Sequence, residues 1–191
     1  MKYITEELTS TVEIKKSKFI ATICSYDNFD CTIKKLKDKH PKARHHVYAY
    51  RYLNEFNQIV ENCSDDGEPR GTSGRPSLKV MNGKELINTA VIIVRYFGGV
   101  KLGTGGLVRA YSEAVNQVIT ASTQYEYQHL IGRKLAFPYS LLSQLEYLLN
   151  NLGINIVEKI YEQNVILHLT LTEEQKNSLE DELPLGVELS E

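Results

Sequence analysis

The order of hydrophobic and polar residues predicts alternating short strands and helices over the first two thirds of the chain. Period-two patterns and β-branched runs indicate strands at residues 12–14, 18–23, 47–52, 59–63 and 90–95. Apolar residues spaced three or four apart indicate three helices, which begin near Asn28, near Pro76 and at Thr104. Thr104 is the residue type that caps a helix, so we expect it to cap the third one.

A second set of elements follows residues 122–129, a polar and aperiodic stretch that we expect to be a linker. The pattern after it is β-α-β-β-α-β, with strands at residues 133–137, 154–161, 165–171 and near 187–189. Ser140 is expected to cap the first helix of this set, and residues 172–175 form a capping box for the second. The chain is therefore predicted to be α+β, with domains at residues 1–128 and 129–191.

Composition places the chain among ordinary water-soluble proteins, because 42% of its 191 residues are hydrophobic and 24% are charged. Its longest aliphatic run, residues 90–94, is far too short to span a bilayer, so we expect no membrane segment. The three cysteines show neither the spacing of a metal site nor a disulfide framework. This usage fits a reducing cytoplasm.

The net charge of −2 hides a difference between the two halves. Residues 1–128 carry 18 Lys and Arg against 14 Asp and Glu, a net charge of +4, whereas residues 129–191 carry a net charge of −6. A basic first half can meet a polyanion, and an acidic second half would steer that encounter. Two solvated surfaces of different composition are an equally open explanation.

Eight of the twelve glycines fall in two segments, residues 64–76 and 94–109. The second segment links a predicted strand to a helix, whose first N–H groups and positive dipole end can bind an anion. The residues expected to form an anion-binding or RNA-binding site are Arg75, Arg95, Lys101, Gly103, Thr104, Gly105, Gly106 and Arg109. Neither the P-loop nor the dinucleotide-binding fingerprint matches here. The alternative is a tight turn whose glycines only allow the strand and the helix to pack.

The first glycine-rich segment concentrates carboxylates, which are Asp65, Asp66 and Glu68. Such a cluster repels itself unless a cation neutralises it, and Mg²⁺ accepts oxygen ligands of this kind. Arg70 and Arg75 offer a simpler answer, so we expect internal ion pairs to hold this loop, with no metal and no cofactor. His45 is a candidate general base if the fold brings it to the carboxylates. His45, Asp65, Asp66 and Glu68 are thus the candidate catalytic residues.

The signature of the YigZ/IMPACT family is similar to two segments of this chain, SDDGEPRGTSGRP at residues 64–76 and RYFGGVKLGTGGLVRAY at residues 95–111. Two upstream segments agree with it, KSKFIA at residues 16–21 and ARHHVYAY at residues 43–50. The resemblance implies a first domain with the ribosomal-protein-S5-domain-2-like fold. It implies a ferredoxin-like second domain, similar to the last domain of the ribosomal translocation factor. It also implies that eukaryotic relatives regulate translation by competing for a coactivator of a stress kinase.

Three functions follow from these observations. The preferred one is a translation-associated regulatory protein that contacts RNA, the ribosome or a translation-control partner and has no catalytic activity. The second is a metal-assisted hydrolase or transferase that acts on a phosphate ester or nucleotide. The third is a pure protein-interaction module. The sequence leaves the oligomeric state open.

Overall fold

A computed structural model describes residues 1–190 and contains two compact units, Met1–Tyr127 and Gln128–Glu191. Each unit combines helices with an antiparallel sheet, which confirms the predicted two-domain α+β fold. Among residues 1–190, no helix is long and apolar enough to cross a membrane. The supposed linker at residues 122–129 is partly a strand, because Tyr125–Glu126 pairs with Lys2–Tyr3.

The first unit is built on two antiparallel sheets. Its strands are β1 (Lys2–Tyr3), β2 (Leu8–Ile14), β3 (Ser17–Ser25), β4 (His45–Leu53), β5 (Ile59–Ser64), β6 (Thr89–Tyr96) and β7 (Tyr125–Glu126). The main sheet has the order β2-β3-β6-β4-β5, and β1 pairs with β7 in a separate two-stranded sheet. Strand β6 lies at the centre of this sheet, between β3 and β4. Its β-branched residues are buried on both faces of the sheet.

Three helices cover the main sheet, α1 (Phe29–Lys39), α2 (Gly74–Gly83) and α3 (Thr104–Ala121). Helices α2 and α3 pack on one face, where Val91 and Ile93 of β6 point. Helix α1 covers the other face through Leu36, above Ile92 of β6. The alternation of side chains along β6 thus supplies both cores of this unit.

Two contacts hold the start of the loop between β6 and α3 against the turn of the β2–β3 hairpin. The β2–β3 hairpin turns at Lys15 and Lys16, whose φ angles are 48° and 66°. A Cβ atom on Gly98 would lie 2.0 Å from the carbonyl carbon of Lys16, so only glycine fits there. The Gly98 N–H also donates to the Ser17 hydroxyl at 3.1 Å. The hairpin turn therefore braces the start of this loop.

The second unit has the elements β8 (Ile131–Phe137), α4 (Leu142–Asn151), β9 (Asn155–Tyr161), β10 (Val165–Leu171), α5 (Glu173–Glu182) and β11 (Leu189–Ser190). Its antiparallel sheet has the order β11-β8-β10-β9, and its chain order is the β-α-β-β-α-β of the ferredoxin-like motif. The last strand begins at Leu189 and not at Val187. The Val187 side chain is buried, and its N–H donates to the carbonyl of Pro184 in a turn.

Of the three helix caps predicted from the sequence, the structure confirms one. Thr172 forms the capping box, since its hydroxyl accepts from the Gln175 N–H at 3.2 Å and its own N–H donates to Gln175 Oε1 at 2.9 Å. The prediction for Ser140 was wrong: it lies inside a short 3₁₀ turn, so Leu141 precedes α4 without a side-chain cap. The prediction for Thr104 was also wrong, because α3 already includes it and Gly103 is the N-cap.

The second unit should fold on its own when residues 128–191 are expressed alone. Its core is formed by side chains from its own elements, among them Leu135, Leu145, Leu167 and Leu179. A dispersed amide-proton NMR spectrum and a cooperative thermal transition are the expected results. A collapsed amide spectrum would show that this core needs the first unit.

Candidate functional site

Asp65 closes the first glycine-rich loop onto the start of α2. Its Oδ2 accepts from the Gly71 N–H at 2.7 Å. Its Oδ1 accepts from the Ser73 hydroxyl at 2.7 Å, the Ser73 N–H at 3.1 Å and the Gly74 N–H at 2.9 Å. Gly74 must be glycine, because a Cβ atom there would lie 2.8 Å from the carbonyl oxygen of Ser64. Asp65 is therefore a structural residue of the loop.

The pKa of the Asp65 carboxyl lies below its ordinary value. Burial on its own would raise this pKa, but the donors from Gly71, Ser73 and Gly74 stabilise the charged form more strongly. A carboxylate so well supplied with N–H groups stays ionised at neutral pH. The loop thus gains its stability from charge-assisted hydrogen bonds within its own backbone.

Asp66 ties the same loop to the first residues of β4. Its Oδ2 accepts from the backbone N–H of His46 at 2.5 Å. Its carbonyl oxygen accepts from Nδ1 of His45 at 2.7 Å. His46 itself is buried, which lowers the pKa of its ring, and it points away from solvent. Of the two histidines, His45 is thus the one that reaches the loop, as the alternation of a strand requires.

Glu68 is the buried carboxylate of the loop, with only 3% of its side chain exposed. Its Oε1 accepts from Nη1 of Arg95 and from the Tyr111 hydroxyl at 2.9 Å, and it lies 3.9 Å from Nε2 of His45. Burial and the neighbouring carboxylate of Glu68 raise the pKa of the Tyr111 hydroxyl, which keeps its proton. Strands β6 and β4 and helix α3 therefore meet the loop at a single oxygen atom.

The predicted ion pairs with Arg70 and Arg75 were wrong. Both arginines are exposed and neither pairs with a carboxylate of residues 1–190, whereas Arg95 reaches Glu68 from strand β6. The reason is the sheet register, which places Arg95 opposite His45 on the neighbouring strand and so beside the loop. A partner 27 residues away thus takes the place of two arginines in the same segment.

The Arg95 guanidinium is buried, and one of its donors is unpaired within residues 1–190. Only 7% of its side chain is exposed, and its guanidinium carbon lies 5.5 Å from the Phe19 ring centroid and 5.8 Å from that of Phe97. Within residues 1–190, its Nε is buried and has no hydrogen-bond partner. A buried donor without a partner is costly, so Arg95 is an unusual residue for the wall of a cavity.

The N-terminus of α3 opens into the same cavity. Gly103 precedes the helix with a φ of 72°, and its carbonyl accepts the Leu107 N–H at 2.9 Å. The N–H groups of Thr104, Gly105 and Gly106 fall before this first intrahelical bond, and no side chain caps them. Three donors and the positive end of an 18-residue helix therefore face outward together.

These groups surround a cavity of about 460 Å³, which we call the α3 cleft. Its lining residues are Arg44, His45, Glu68, Pro69, Arg95, Phe97, Lys101, Leu102, Gly103, Thr104 and Leu107. Arg44 and Lys101 are exposed at its mouth, and Phe97, Leu102 and Leu107 form an apolar wall. The cleft therefore joins an anion-attracting end to an apolar surface.

The structure brings some of the sequence-predicted site residues together and separates others. His45, Glu68, Arg95, Lys101, Gly103 and Thr104 line the α3 cleft, and Gly105 and Gly106 belong to the adjoining first turn of α3. Arg75 lines a separate groove, shared with Lys79 of α2 and Val108 of α3. Arg109 is exposed on α3 and lies outside the lining of the cleft.

Sequence reasoning missed Tyr111, which binds Glu68, and five residues that line the cleft, Arg44, Pro69, Phe97, Leu102 and Leu107. Arg44 directly precedes His45, and Phe97 follows the last residue of β6, so both were detectable as neighbours of predicted site residues. Tyr111 matched the apolar face of α3, and nothing in the sequence shows that its hydroxyl meets Glu68. Asp65 points to groups of the loop itself, and Asp66 points to the backbone N–H of His46 in β4.

The carboxylates do not converge on one point. Asp65 binds loop amides, Asp66 binds the start of β4, and Glu68 binds Arg95 and Tyr111. Across residues 1–190, no group of three or more His, Cys, Asp or Glu side chains is arranged to hold a metal ion.

The glycines at the start of α3 were explained either by an anion-binding site or by a tight turn that lets the strand and the helix pack. The space around each glycine distinguishes these explanations. Gly103 is required by its positive φ, and a Cβ atom on Gly106 would lie 3.1 Å from that of Leu102. A Cβ atom on Gly105 would meet no atom of residues 1–190 within 4 Å beyond its chain neighbours and the backbone of its own helix, and its φ is ordinary. Backbone conformation thus accounts for Gly103 and packing for Gly106, but neither accounts for Gly105, which leaves open space beside the free N–H groups.

A chain with this pair of α+β units and this loop belongs to the IMPACT family. The model of the Impact N-terminal domain matches residues 15–119, and that of a domain of unknown function, DUF1949, matches residues 135–184. The predicted resemblance to the YigZ/IMPACT family is thereby confirmed.

Individual relatives agree with this membership over most of their length. The IMPACT family member YigZ of Escherichia coli is 35% identical, over 86% of this chain and 82% of its own. YvyE of Bacillus subtilis is 31% identical, over 89% of this chain and 79% of its own. A solved crystal structure of a hypothetical protein, 31% identical, covers 99% of this chain and 95% of its own with a TM-score of 0.65.

The variant Asp65→Asn should lower the free energy of unfolding by about 1–3 kcal/mol at pH 7, because a charged acceptor of buried donors is lost. The folded state depresses this pKa, so the stabilisation is present above the ordinary aspartate pKa of about 3.9. It disappears as the pH falls from there through the lower pKa of the folded state. Urea denaturation of the variant and the natural chain between pH 7 and pH 3 measures this.

The matched control for this prediction is Asp38→Asn, since Asp38 is exposed on α1. It should change stability by less than about 0.5 kcal/mol at every pH. Equal losses in both variants, or a difference for Asp65→Asn that persists unchanged to pH 3, would contradict a specific role for the Asp65 carboxylate.

Proposed function

We propose that this chain is a translation-control protein that binds RNA through the α3 cleft and catalyses no reaction of its own. The observation that carries the proposal is the coincidence of the free α3 N–H groups with the buried guanidinium of Arg95, whose Nε has no partner within residues 1–190. Oriented N–H groups at a helix N-terminus are a general binding site for phosphate. Arg44 and Lys101 at the mouth supply positive charge that Glu68 does not neutralise.

The charge balance favours a polyanion. Arg95 is paired with Glu68, so the floor of the cleft is close to neutral. The excess comes from Arg44, Lys101 and the helix dipole, and the surrounding residues 1–128 add a net charge of +4. Positive charge spread along the rim attracts several phosphates of one chain instead of a single phosphate group. This is the kind of attraction that RNA binding requires.

The apolar wall supports a nucleotide as the bound unit. Phe97 is 49% exposed although it is a large aromatic residue, and it lies beside Leu102 and Leu107 in the cleft. An exposed ring next to a phosphate site can stack a base, and base–aromatic stacking contributes about 1–3 kcal/mol per base. Phosphate at the helix end and base against Phe97 would use both parts of the cleft.

Membership of the IMPACT family supports the link to translation. Family resemblance implies that eukaryotic relatives regulate translation, and a role at ribosomal RNA would place this chain in the cytoplasm. The metal-assisted alternative draws no support from the carboxylates, because each already has separate donors. A protein partner in place of RNA is the outcome that the next experiment separates.

The double variant Arg44→Ala/Lys101→Ala should bind a short single-stranded RNA at least tenfold more weakly than the natural chain. Each cation that neutralises a phosphate contributes about 0.7 to the slope of log affinity against log salt for single strands, so the slope should shrink by about 1.4. Fluorescence anisotropy titrations at several salt concentrations give both quantities. Both residues are exposed, so the thermal transition should stay within a few degrees.

Arg109→Ala is the matched control, because Arg109 is exposed on the same helix but outside the lining of the cleft. It should leave the affinity and the salt slope nearly unchanged. Absence of RNA binding in the natural chain, or equal losses in all variants, would refute the proposal and favour a protein partner.

Gly105→Val should weaken RNA binding at least tenfold without loss of thermal stability. The new side chain enters open space, and valine is a better helix former than glycine, so the fold tolerates it. The same side chain would stand in front of the free N–H groups. Gly83→Val, at an equally open glycine at the end of α2, is the control and should bind RNA like the natural chain. Unchanged RNA affinity in Gly105→Val would mean that no ligand approaches this turn.

A further inference from the structure

The floor of the α3 cleft presents two hydrogen-bond acceptors to a ligand. The backbone carbonyl of Asp66 can only accept, so Nδ1 of His45, 2.7 Å away, must be the donor in that contact. In a neutral imidazole the other nitrogen, Nε2, then carries a lone pair. This Nε2 lies 3.9 Å from Oε1 of Glu68, and both residues line the cleft.

Two acceptors this close repel each other unless a donor lies beside them. Glu68 has its own donors in Arg95 and Tyr111. Within residues 1–190, no protein group donates to His45 Nε2, and Glu68 Oε1 lies 3.9 Å from it. Because 19% of the His45 side chain is exposed, water or a ligand bound in the cleft can supply the donor.

The charge of the cleft decides which kind of donor fits. An ammonium group would meet the exposed Arg44 and Lys101 and the positive end of α3, so a cationic donor is disfavoured. A neutral hydroxyl carries no such penalty and can donate to Nε2. The phosphate-binding end of the same cleft requires that this hydroxyl belong to a phosphate-bearing molecule.

We infer that the α3 cleft reads the ribose 2′-hydroxyl and therefore selects RNA over DNA. The inference rests on the proposed RNA-binding function and adds the group by which the cleft tells the two nucleic acids apart. Phosphate lies at the N–H groups of α3, the base lies against Phe97, and the 2′-hydroxyl donates to His45 Nε2. The 2′-hydroxyl is the one group of the backbone that distinguishes RNA from DNA at a given site. The cavity of about 460 Å³ is within the range of small-ligand sites.

The test compares three oligomers of one uridine sequence: the ribo form, the deoxyribo form and the 2′-O-methyl form. The 2′-O-methyl form keeps the ribose but lacks the donor, so it separates hydrogen bonding from sugar shape. Anisotropy titrations of the full chain at pH 8 should give about tenfold tighter binding of the ribo form than of either other form. Tenfold corresponds to about 1.4 kcal/mol.

Three variants make the test specific to His45. His45→Phe keeps a ring but removes the acceptor together with the Nδ1 donor to the Asp66 carbonyl, so the preference should fall to about one whatever the change in the affinity for the deoxyribo form. Retained binding of that form also shows that the variant is folded. His45→Gln restores an acceptor near the position of Nε2 and should recover part of the preference. Arg109→Ala should keep all of it.

Each other outcome counts against one proposal in particular. Equal binding of the ribo and deoxyribo forms by the natural chain would overturn the inference and leave RNA binding intact. A preference that survives in His45→Phe would assign the discrimination to another residue and overturn the inference too. If no form binds at all, the proposed function itself fails.

Discussion

The buried ion pair between Glu68 and Arg95 is the interaction on which the site depends. It joins the first glycine-rich loop to the central strand β6, and the Tyr111 hydroxyl adds helix α3 to the same carboxylate oxygen. Removing one member of such a pair leaves a buried charge without a partner, at a cost of about 3–5 kcal/mol. Loop, sheet and helix are therefore held in one arrangement by a single group.

This pairing also shapes the chemistry of the cleft. Because Glu68 takes up the charge of Arg95, the attraction for an anion depends on the α3 N-terminus and on the exposed rim of Arg44 and Lys101. The floor of the cleft contributes oriented hydrogen-bonding groups. These are the Arg95 guanidinium, whose Nε has no partner within residues 1–190, and the acceptor nitrogen of His45. In the proposed RNA complex, the charge that attracts and the groups that discriminate would therefore come from different layers of the same cleft.

The sequence predicted what depends on local spacing. The period of three to four apolar residues located α3, and alternation located the hairpin of the second unit, because these patterns need only neighbouring residues. The pairing of Glu68 with Arg95 was not predictable, since it depends on the register between β4 and β6. The N-cap of α3 was misplaced because Gly103, with its positive φ, ends the loop one residue before the threonine. Arg109 does not line the cleft with Lys101, because it lies beyond the first turn of α3.

The contact between Gly98 and the hairpin turn at Lys16 divides the loop before α3 into two parts with different freedom to diverge. Position 98 admits no side chain, so every descendant of this sequence must keep it or rebuild the hairpin. Val100 and Lys101 are exposed and meet no such barrier. Of the two, Lys101 lines the α3 cleft. Natural variation can therefore change the lining of the cleft at Lys101 while the scaffold stays as it is. Laboratory evolution aimed at new ligands has the same position as its entry point.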